Sequence, residues 1–373
     1  MASSTNTYQP DYTVPPGWVL ADMLEARRIS HAEFARRCGR SPKLVSEIIA
    51  AKAPVEPGTA LQFERVLGMD ASVWLNIEAN YRLHRARKME EHSLRQSAAW
   101  ASRFPINELV KLGAITKPTD NADAARQLLR FFGVGTPRAW HHRYDELAMT
   151  HSHPTSFKSS KEAVAGWLRL GELAADKQDC SQFIKGTFVQ ALRDVRQLTD
   201  SKPEQFLPDI RQLCNDAGVA FVLVPCLTKT ELTGAARWLT PNKALIQLSL
   251  SHRWNDRFWL TFFHQAAHIL LHSKKAIYVD DGSQNSDELE KQASDWAADF
   301  LIPRQIFQKW VRAGAPSKSS IRDLARDLEI APGIIVGVLQ QKGKIDPRHY
   351  ADLKERYDLV TRNRYGEGMA QES

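Results

Sequence analysis

The sequence predicts a multidomain, mainly α-helical protein with one small β-sheet in its C-terminal half. Two short capped helices near the N-terminus indicate a helix-turn-helix (HTH), and a buried helix further along carries two histidines one turn apart. Two short segments rich in β-branched residues precede that helix, with a third predicted strand between them. With 373 residues, of which 43% are hydrophobic, the chain is long enough to bury two or three cores.

The first predicted domain contains five helices at residues 16–82 and follows a flexible, polar N-terminus at residues 1–15. Its central pair of helices is recognised by a capping box, a glycine turn and a second serine cap: Ser30 with Glu33, Gly39, and Ser41 before Pro42 to Ala50. The flanking helices are predicted at Gly17 to Arg27, Pro57 to Leu67 and Asp70 to Tyr81. Two short helices joined by a tight turn are typical of an HTH.

The second helix of the pair would present a polar face to base edges and phosphates, comprising Ser41, Lys43, Ser46 and Glu47. Nearby cations would contact phosphates: Arg36, Arg37, Arg40 and Lys52. For each residue alone, a solvated charged face is the competing explanation. The complete arrangement favours double-stranded DNA as the partner.

Residues 83–205 are predicted to form a helical linker and middle region with no chemistry of its own. It begins with a charged helix continuing to Arg95 and includes a loop from Ala148 to Ser160. That loop carries His151 and His153, for which exposed loop histidines are a safer interpretation than a metal site.

Three strands are predicted before the histidine helix, at Gly218 to Pro225, Thr233 to Leu239 and Ala244 to Leu250. The middle segment is either an ordinary sheet strand, which is the favoured interpretation, or an edge strand that aligns a peptide by main-chain hydrogen bonds. The apolar run from Phe258 to Leu271 then predicts a mostly buried helix.

His264 and His268 lie on one face of this helix, where both imidazoles can reach one Zn²⁺. Two core histidines bonded to carbonyls are the alternative, unless a third ligand is present. The next amphipathic helix, Asp287 to Ile302, supplies Glu290 on the same stripe as two alanines, and Glu288 is the other possible ligand. Solvated acids at a helix N-terminus would have the same pattern.

Gln265 occupies the position at which the pattern His-Glu-x-x-His places its general base. A glutamine amide can orient a water molecule but cannot accept a proton from it near neutral pH. The sequence therefore predicts a metal site with little or no hydrolysis.

Charge and cysteine content constrain the function further. The net charge of +7 and the pI near 9.2 are compatible with nucleic-acid binding without demanding it. Four scattered cysteines without a Cys-x-x-Cys pair suggest neither a disulfide framework nor a thiolate zinc cluster. No apolar run reaches membrane-spanning length and no signal core is present, so we expect a cytoplasmic protein without a membrane partner.

The segments Asp256 to His272 and Glu290 to Pro303 resemble the ImmA/IrrE family of zinc metallopeptidases. The resemblance implies a zincin-like α+β domain, at residues 206–345, with zinc on His264, His268 and Glu290 and the catalytic base at position 265. Residues 346–373 are expected to form a C-terminal helical tail. Gln265 departs from the family pattern, as does Gln292, where many members have a second Glu. His272 matches a common family residue and is expected to support a ligand or lie at the surface.

The N-terminal domain is similar to XRE-type DNA-binding domains, and specifically to antitoxins of the HigA type. The likeness is carried by these segments: Pro16-Gly17 with Leu20 and Leu24, Ser41 to Ile49, Thr59-Ala60-Leu61, Trp74-Leu75-Asn76, and Ala79-Asn80-Tyr81. The resemblance implies a homodimer that binds palindromic operator DNA and a toxin as protein partner.

Two hypotheses of function follow. In the first, the chain is a DNA-binding regulator whose zinc peptidase domain cleaves a repressor or toxin, an activity lost or strongly impaired with Gln265. In the second, the peptidase fold is a non-catalytic sensor of a ligand or partner that controls operator binding.

Overall fold

The computed structural model describes residues 13–149, 160–228, 230, 232–249, 253–280, 288–361 and 368–370. The chain divides into two compact units, Met1–Gln96 and Ser97–Ser373. The predicted loop histidines His151 and His153 lie outside the described residues.

Five helices make up the described part of the first unit: α1 Pro16–Ala26, α2 His31–Arg37, α3 Pro42–Ile49, α4 Pro57–Leu67 and α5 Ala71–Gln96. The predicted caps form, because the hydroxyls of Ser30 and Ser41 accept from the backbone N–H groups three residues later, both at 3.2 Å. Gly39 has a φ of +64°, as the turn between α2 and α3 requires. The HTH prediction is therefore confirmed at the level of the backbone.

The core of this unit is built around three aromatic side chains. The rings of Phe34 and Phe63 lie 4.9 Å apart, and those of Phe63 and Trp74 lie 5.4 Å apart. A side chain at Gly17 would overlap the carbonyl oxygen of Ile48, so glycine is needed where α1 crosses the end of α3.

Two details of the first unit differ from the sequence-based expectation. Only half of the predicted capping box forms, because the Glu33 carboxylate pairs with Arg36 at 2.6 Å and Arg37 at 2.8 Å instead of returning to the cap. Helix α5 also continues without a break through residue 82, since the charged residues beyond it are good helix formers.

The second unit contains the remaining helices, which are α6 Ala98–Ala101, α7 Ile106–Lys111, α8 Asn121–Phe132, α9 Pro137–Met149, α10 Lys161–Ala175, α11 Lys185–Gln197, α12 Pro203–Asp216, α13 Asn255–Leu271, α14 Glu288–Leu301, α15 Arg304–Arg312, α16 Lys318–Leu328 and α17 Pro332–Gln341. Short 3-10 turns occur at Leu198–Asp200 and Ala351–Leu353. Among the described residues, no helix combines the length and apolar character that a bilayer crossing requires.

The main sheet of this unit has four strands, β1 Val219–Val224, β2 Gly234–Thr240, β3 Lys243–Ser249 and β4 Ile277–Asp280. Their spatial order is β1-β3-β2-β4, with β1 parallel to β3 and the other pairs antiparallel. The three predicted strands are confirmed. The second is an ordinary sheet strand, as the favoured interpretation had it, and the alternative of an edge strand is wrong, because β4 pairs with its outer side.

Helices α10 and α13 cover opposite faces of the sheet. Gly234 of β2 lies against Gln265 of α13, where a Cβ would come within 3.1 Å of the glutamine Cγ. Three residues further along β2, Arg237 points to the other face and donates to the carbonyl of Leu168 on α10 at 2.6 Å. Side chains alternate between the faces of a strand, so this spacing places the two helices on opposite sides.

Helix α10 is joined to the sheet by buried hydrogen bonds. Trp167 Nε1 donates to the carbonyl of Val224 at 3.2 Å, and Gln247 Nε2 donates to the carbonyl of Trp167 at 2.7 Å. The described residues between 83 and 205 are mainly helical. The boundary predicted at residue 206, however, does not separate two compact units.

The C-terminal segment packs across the start of α13 instead of forming the predicted helical tail. Its described part has the second 3-10 turn and two paired short strands, β5 Leu359–Thr361 and β6 Gly368–Ala370. The carbonyl of Arg253 accepts from Tyr357 N at 2.5 Å, and Tyr357 Oη contacts Trp259 Nε1 at 2.9 Å. These long-range contacts favour an extended chain over a helix.

A buried ion pair fastens this segment to α13. Lys354 Nζ lies 2.6 Å from Asp256 Oδ2 and 2.7 Å from Gln340 Oε1, and Asp256 is 1% exposed. An aspartate at this depth needs a partner, because the removal of water from a charged group is costly.

Lys354→Met is expected to lower the free energy of unfolding by about 3 kcal/mol, because it leaves the Asp256 carboxylate buried without its cation. The matched control is Lys318→Met, which removes an exposed pair with Asp352 at 2.8 Å and should change stability little. Calorimetric unfolding of both variants compares them directly. Equal melting temperatures would contradict a stabilising role for the buried pair.

Candidate metal centre and helix-turn-helix surface

Three side chains from α13 and α14 converge on one point. His264 Nε2 lies 3.0 Å from His268 Nε2 and 3.0 Å from Glu290 Oε2, while His268 Nε2 lies 3.5 Å from the same oxygen. The two histidines face together because they are one helical turn apart. Buried Ala293 and Ala297 leave room for α14 to approach α13 closely.

This triangle of donor atoms fits zinc. Tetrahedral zinc with bonds of about 2.0–2.1 Å to nitrogen and oxygen places its ligand atoms roughly 3.3 Å apart, close to the separations between these three atoms. Glu288, the alternative third ligand, is exposed and accepts from Gln292 Nε2 at 3.3 Å. Of the two carboxylates, Glu290 is the one that lies with the two histidines.

Other side chains hold the two imidazoles in place. Ser294 Oγ lies 3.2 Å from His264 Nδ1, and His272 Nδ1 lies 2.8 Å from His268 Nδ1. Tyr278 of β4 stacks on the His268 ring with 4.3 Å between ring centroids. Contacts at Nδ1 keep both Nε2 atoms turned toward Glu290, as in many metal sites. The expected supporting position of His272 is thus observed, whereas Ser294 and Tyr278 were not found from the sequence.

The charge state of the cluster suits a cation. Burial lowers the pKa of His268 and favours the neutral imidazole that metals require. Burial also acts to raise the pKa of Glu290, but hydrogen bonds from the two histidines outweigh it and hold that pKa well below the usual range. The site thus favours a neutral imidazole at His268 and an ionised carboxylate at Glu290.

Gln265 lies beside the cluster on the same helix and is completely buried. Within the described part of the chain, neither its Oε1 nor its Nε2 has a hydrogen-bond partner. An unsatisfied buried amide costs about 1–3 kcal/mol. The amide of Gln265 is therefore an enclosed polar group that follows His264 directly in the sequence.

The predicted DNA-contacting residues occupy the α2–α3 region of the first unit. The side chains of Ser41, Lys43, Ser46 and Lys52 are exposed. Glu47 is half-buried and lies 3.9 Å from Lys43.

Arg40 differs from the other predicted contacts, because its guanidinium is already engaged. Its Nε donates to Gln62 Oε1 of α4 at 2.5 Å, and its side chain is half-buried. Arg40 therefore links the turn to α4.

Comparison with known proteins defines the class. The family profile named IrrE N-terminal-like domain, of the M78 peptidases, matches residues 235–335. A curated relative, the uncharacterized HTH-type transcriptional regulator YddM of Escherichia coli K12, is 30% identical over 73 residues. That match covers 20% of this chain and 78% of the relative.

Similar solved structures each cover less than a quarter of the chain. An antidote protein of a plasmid maintenance system from Nostoc punctiforme is 27% identical, covers 22% of this chain and 92% of its own, and has a TM-score of 0.22. A HigA-family antidote protein from Coxiella burnetii is 23% identical, with coverages of 22% and 91% and a TM-score of 0.21. PA4674 of Pseudomonas aeruginosa, solved with its operator DNA, is 24% identical, with coverages of 23% and 94% and a TM-score of 0.22.

The chain belongs to the HTH-type transcriptional regulators. It also carries an M78-type, IrrE N-terminal-like domain, so the expected fusion of two modules is confirmed.

Proposed function

We propose that the chain is an operator-binding regulator whose C-terminal domain binds zinc through His264, His268 and Glu290 and has little or no hydrolytic activity. The observation that carries the proposal is the approach of these three donor atoms to within 3.0–3.5 Å of one another. A group of two imidazoles and one carboxylate is a typical zinc ligand set with a position left open.

Zinc at this position would polarise a carbonyl group and lower the pKa of a bound water. The general base that peptide hydrolysis needs is absent, because Gln265 offers an amide where a carboxylate would accept the proton. Its free donor and acceptor suit the orientation of a peptide group or a water. A bound peptide would pair with the edge strand β4, which brings Tyr278 against His268.

The zinc content of the purified protein tests this proposal. We expect about one zinc per chain, and none in His268→Ala, because loss of one ligand from a three-ligand site removes most of its affinity. His349→Ala, which changes a histidine outside the cluster, is the control and should retain the metal. Absence of zinc in the unaltered chain, after it has been refolded with the metal, would contradict the site.

The first unit is proposed to bind a palindromic operator as a homodimer, with α3 in the major groove. Support comes from the HTH backbone and the exposed Ser41, Lys43 and Ser46. Arg40 is still proposed to contact a DNA phosphate. In this proposal its hydrogen bond to Gln62 orients the guanidinium toward the sugar-phosphate backbone of the DNA. An operator-binding regulator works where the chromosome is, so we place the chain in the cytoplasm.

Lys43→Ala is expected to weaken operator binding about tenfold and to reduce the salt dependence by roughly one counterion, because one phosphate contact is lost. Fluorescence anisotropy with promoter DNA at several salt concentrations measures both quantities. Arg326→Ala, which removes an exposed arginine from α16 of the second unit, is the control. An unchanged affinity and salt slope for Lys43→Ala would show that α3 does not face the DNA.

A second candidate function is favoured by Gln265 itself. A zinc site without a base can bind a peptide or a protein, such as a toxin or repressor, without cleaving it. The domain would then be a sensor that controls operator binding, as the second sequence-based hypothesis states.

A further inference from the structure

A cleft of about 370 Å³ lies between α14, α15 and α17 in the second unit. Apolar side chains from all three helices form its floor, among them Ala298, Phe307 and Val338. Its volume is within the range of sites for small molecules, which are commonly apolar with a few polar groups at the rim.

The rim of the cleft has an excess of positive charge. Four cations and two carboxylates line it, namely Arg304, Arg312, Lys342, Lys344, Asp295 and Asp299. One pair is already formed, with Lys342 Nζ at 3.5 Å from Asp295 Oδ1. Arg304, Arg312 and Lys344 have no ion pair within the described ranges, so three cations face one unpaired carboxylate.

The cleft is separate from the candidate metal centre although the two share α14. His264, His268 and Glu290 are not among the residues that line the cleft; Asp295 and Asp299 line it, whereas Glu290 and Ser294 contact His264 of α13. A ligand in the cleft would thus contact the same helix as the metal site from a different side.

We propose that this cleft binds a small amphipathic anion, in which an apolar body rests on the floor and a phosphate or carboxylate group meets the cations. An apolar floor alone would accept a neutral compound, and the unpaired cations alone would attract any anion from solution. The combination selects for a molecule with both parts. Arg304 and Arg312 are suited to bidentate contacts, since the planar guanidinium matches a phosphate or carboxylate.

Calorimetric titration with 1-naphthyl phosphate tests the proposal, with 1-naphthol and 1-naphthoate as companions. We expect a dissociation constant below about 1 mM for the phosphate and binding at least about tenfold weaker for the neutral naphthol, because the charge-assisted contacts are lost. The relative affinity of naphthoate distinguishes a site built for phosphate from one built for carboxylate.

Matched variants place the ligand in the cleft. Arg312→Gln should weaken binding of 1-naphthyl phosphate about tenfold, and Asp299→Asn should strengthen it about threefold by removing repulsion. Lys309→Gln removes a cation of the same helix that does not line the cleft and should have no effect. All variants are first compared by thermal unfolding, so that a loss of folding is recognised.

The metal centre needs its own control, because histidines can also bind phosphate. His268→Ala should leave the affinity for 1-naphthyl phosphate unchanged, whatever it does to zinc. Three results would overturn the proposal: equal binding of naphthol and naphthyl phosphate, equal effects of Arg312→Gln and Lys309→Gln, or loss of binding with His268→Ala.

Discussion

Replacing Glu172 by glutamine is expected to lower the free energy of unfolding of the second unit by about 3–5 kcal/mol. Glu172 of α10 is the shared anion of three arginines: Arg169 at 2.5 Å, Arg237 at 2.9 Å and Arg143 at 3.7 Å. Arg237 is only 4% exposed, so the amide of the variant would leave a guanidinium buried without a counter-charge.

The sign of the pH dependence follows from the same contacts. Burial acts to raise the pKa of Glu172, but the neighbouring Arg237 and Arg169 outweigh it and hold the pKa below its ordinary value of 4.5. The stabilising contribution is therefore fully present above about pH 4.5 and is lost as the pH falls through the pKa of the folded state. The difference between the two proteins should be largest near neutral pH and should shrink in acid.

Differential scanning calorimetry measures this difference, and the expected shift in melting temperature is roughly 10 °C. Asp323→Asn, which removes an exposed pair with Arg326 at 2.8 Å, is the matched control and should shift it by about 1 °C or less. If Glu172→Gln and Asp323→Asn had the same melting temperature, the ion pairs of Glu172 with the three arginines would not stabilise the packing of α10 on the sheet.

Local periodicity explains why the side chains of the candidate metal centre could be expected from the sequence to lie together. His264 and His268 are one turn apart, and Glu290 shares a stripe with Ala293 and Ala297. The sequence of each helix therefore indicates which of its faces carries the candidate ligands. Serine caps and a glycine turn likewise predicted the α2–α3 pair. Such signals need only neighbouring residues, and they survive folding because a helix preserves its periodicity.

Contacts between distant segments could not be predicted in this way. Glu172 and Arg237 are 65 positions apart, and the sequence around neither residue indicates that the other is its partner. Strand β4 is only four residues long, too short for alternation to identify it, and Tyr278 therefore escaped notice. The C-terminal segment was predicted to be helical although its conformation depends on the buried Asp256 and Lys354 pair. These elements are defined by tertiary packing, which overrides local preference.

Gln265→Glu is expected to raise peptide hydrolysis by the zinc-loaded protein by about 10²–10⁴-fold, the usual contribution of a general base. The variant changes an amide into a carboxylate at constant size, beside His264, His268 and Glu290. The buried Gln265 amide has no hydrogen-bond partner within the described residues, so the exchange breaks no contact described there. A carboxylate is costly to bury without a partner, so the thermal unfolding of Gln265→Glu is compared with that of the unaltered chain before activity is measured.

The measurement does not require a known substrate. A native proteome is incubated with each protein, and new peptide termini are identified by mass spectrometry. We expect discrete new termini with Gln265→Glu and few or none with the unaltered chain. The double variant Gln265→Glu/His268→Ala keeps the carboxylate and lacks a metal ligand, so termini that persist with it come from a contaminating protease.

The zinc content of each sample makes a negative result informative. Gln265→Glu with about one zinc per chain and no new termini would contradict the peptidase hypothesis, because the ligand set and the base would both be present without cleavage. The domain would then be better explained as a binding module, and the unpaired amide of Gln265 as a contact for the bound group. If the domain is a binding module, Gln265→Ala should weaken binding of the protein partner while zinc remains in place. If it is a catalytic site that has only lost its base, Gln265→Ala should not affect that binding. The substitutions Gln265→Glu and Gln265→Ala therefore distinguish the two hypotheses.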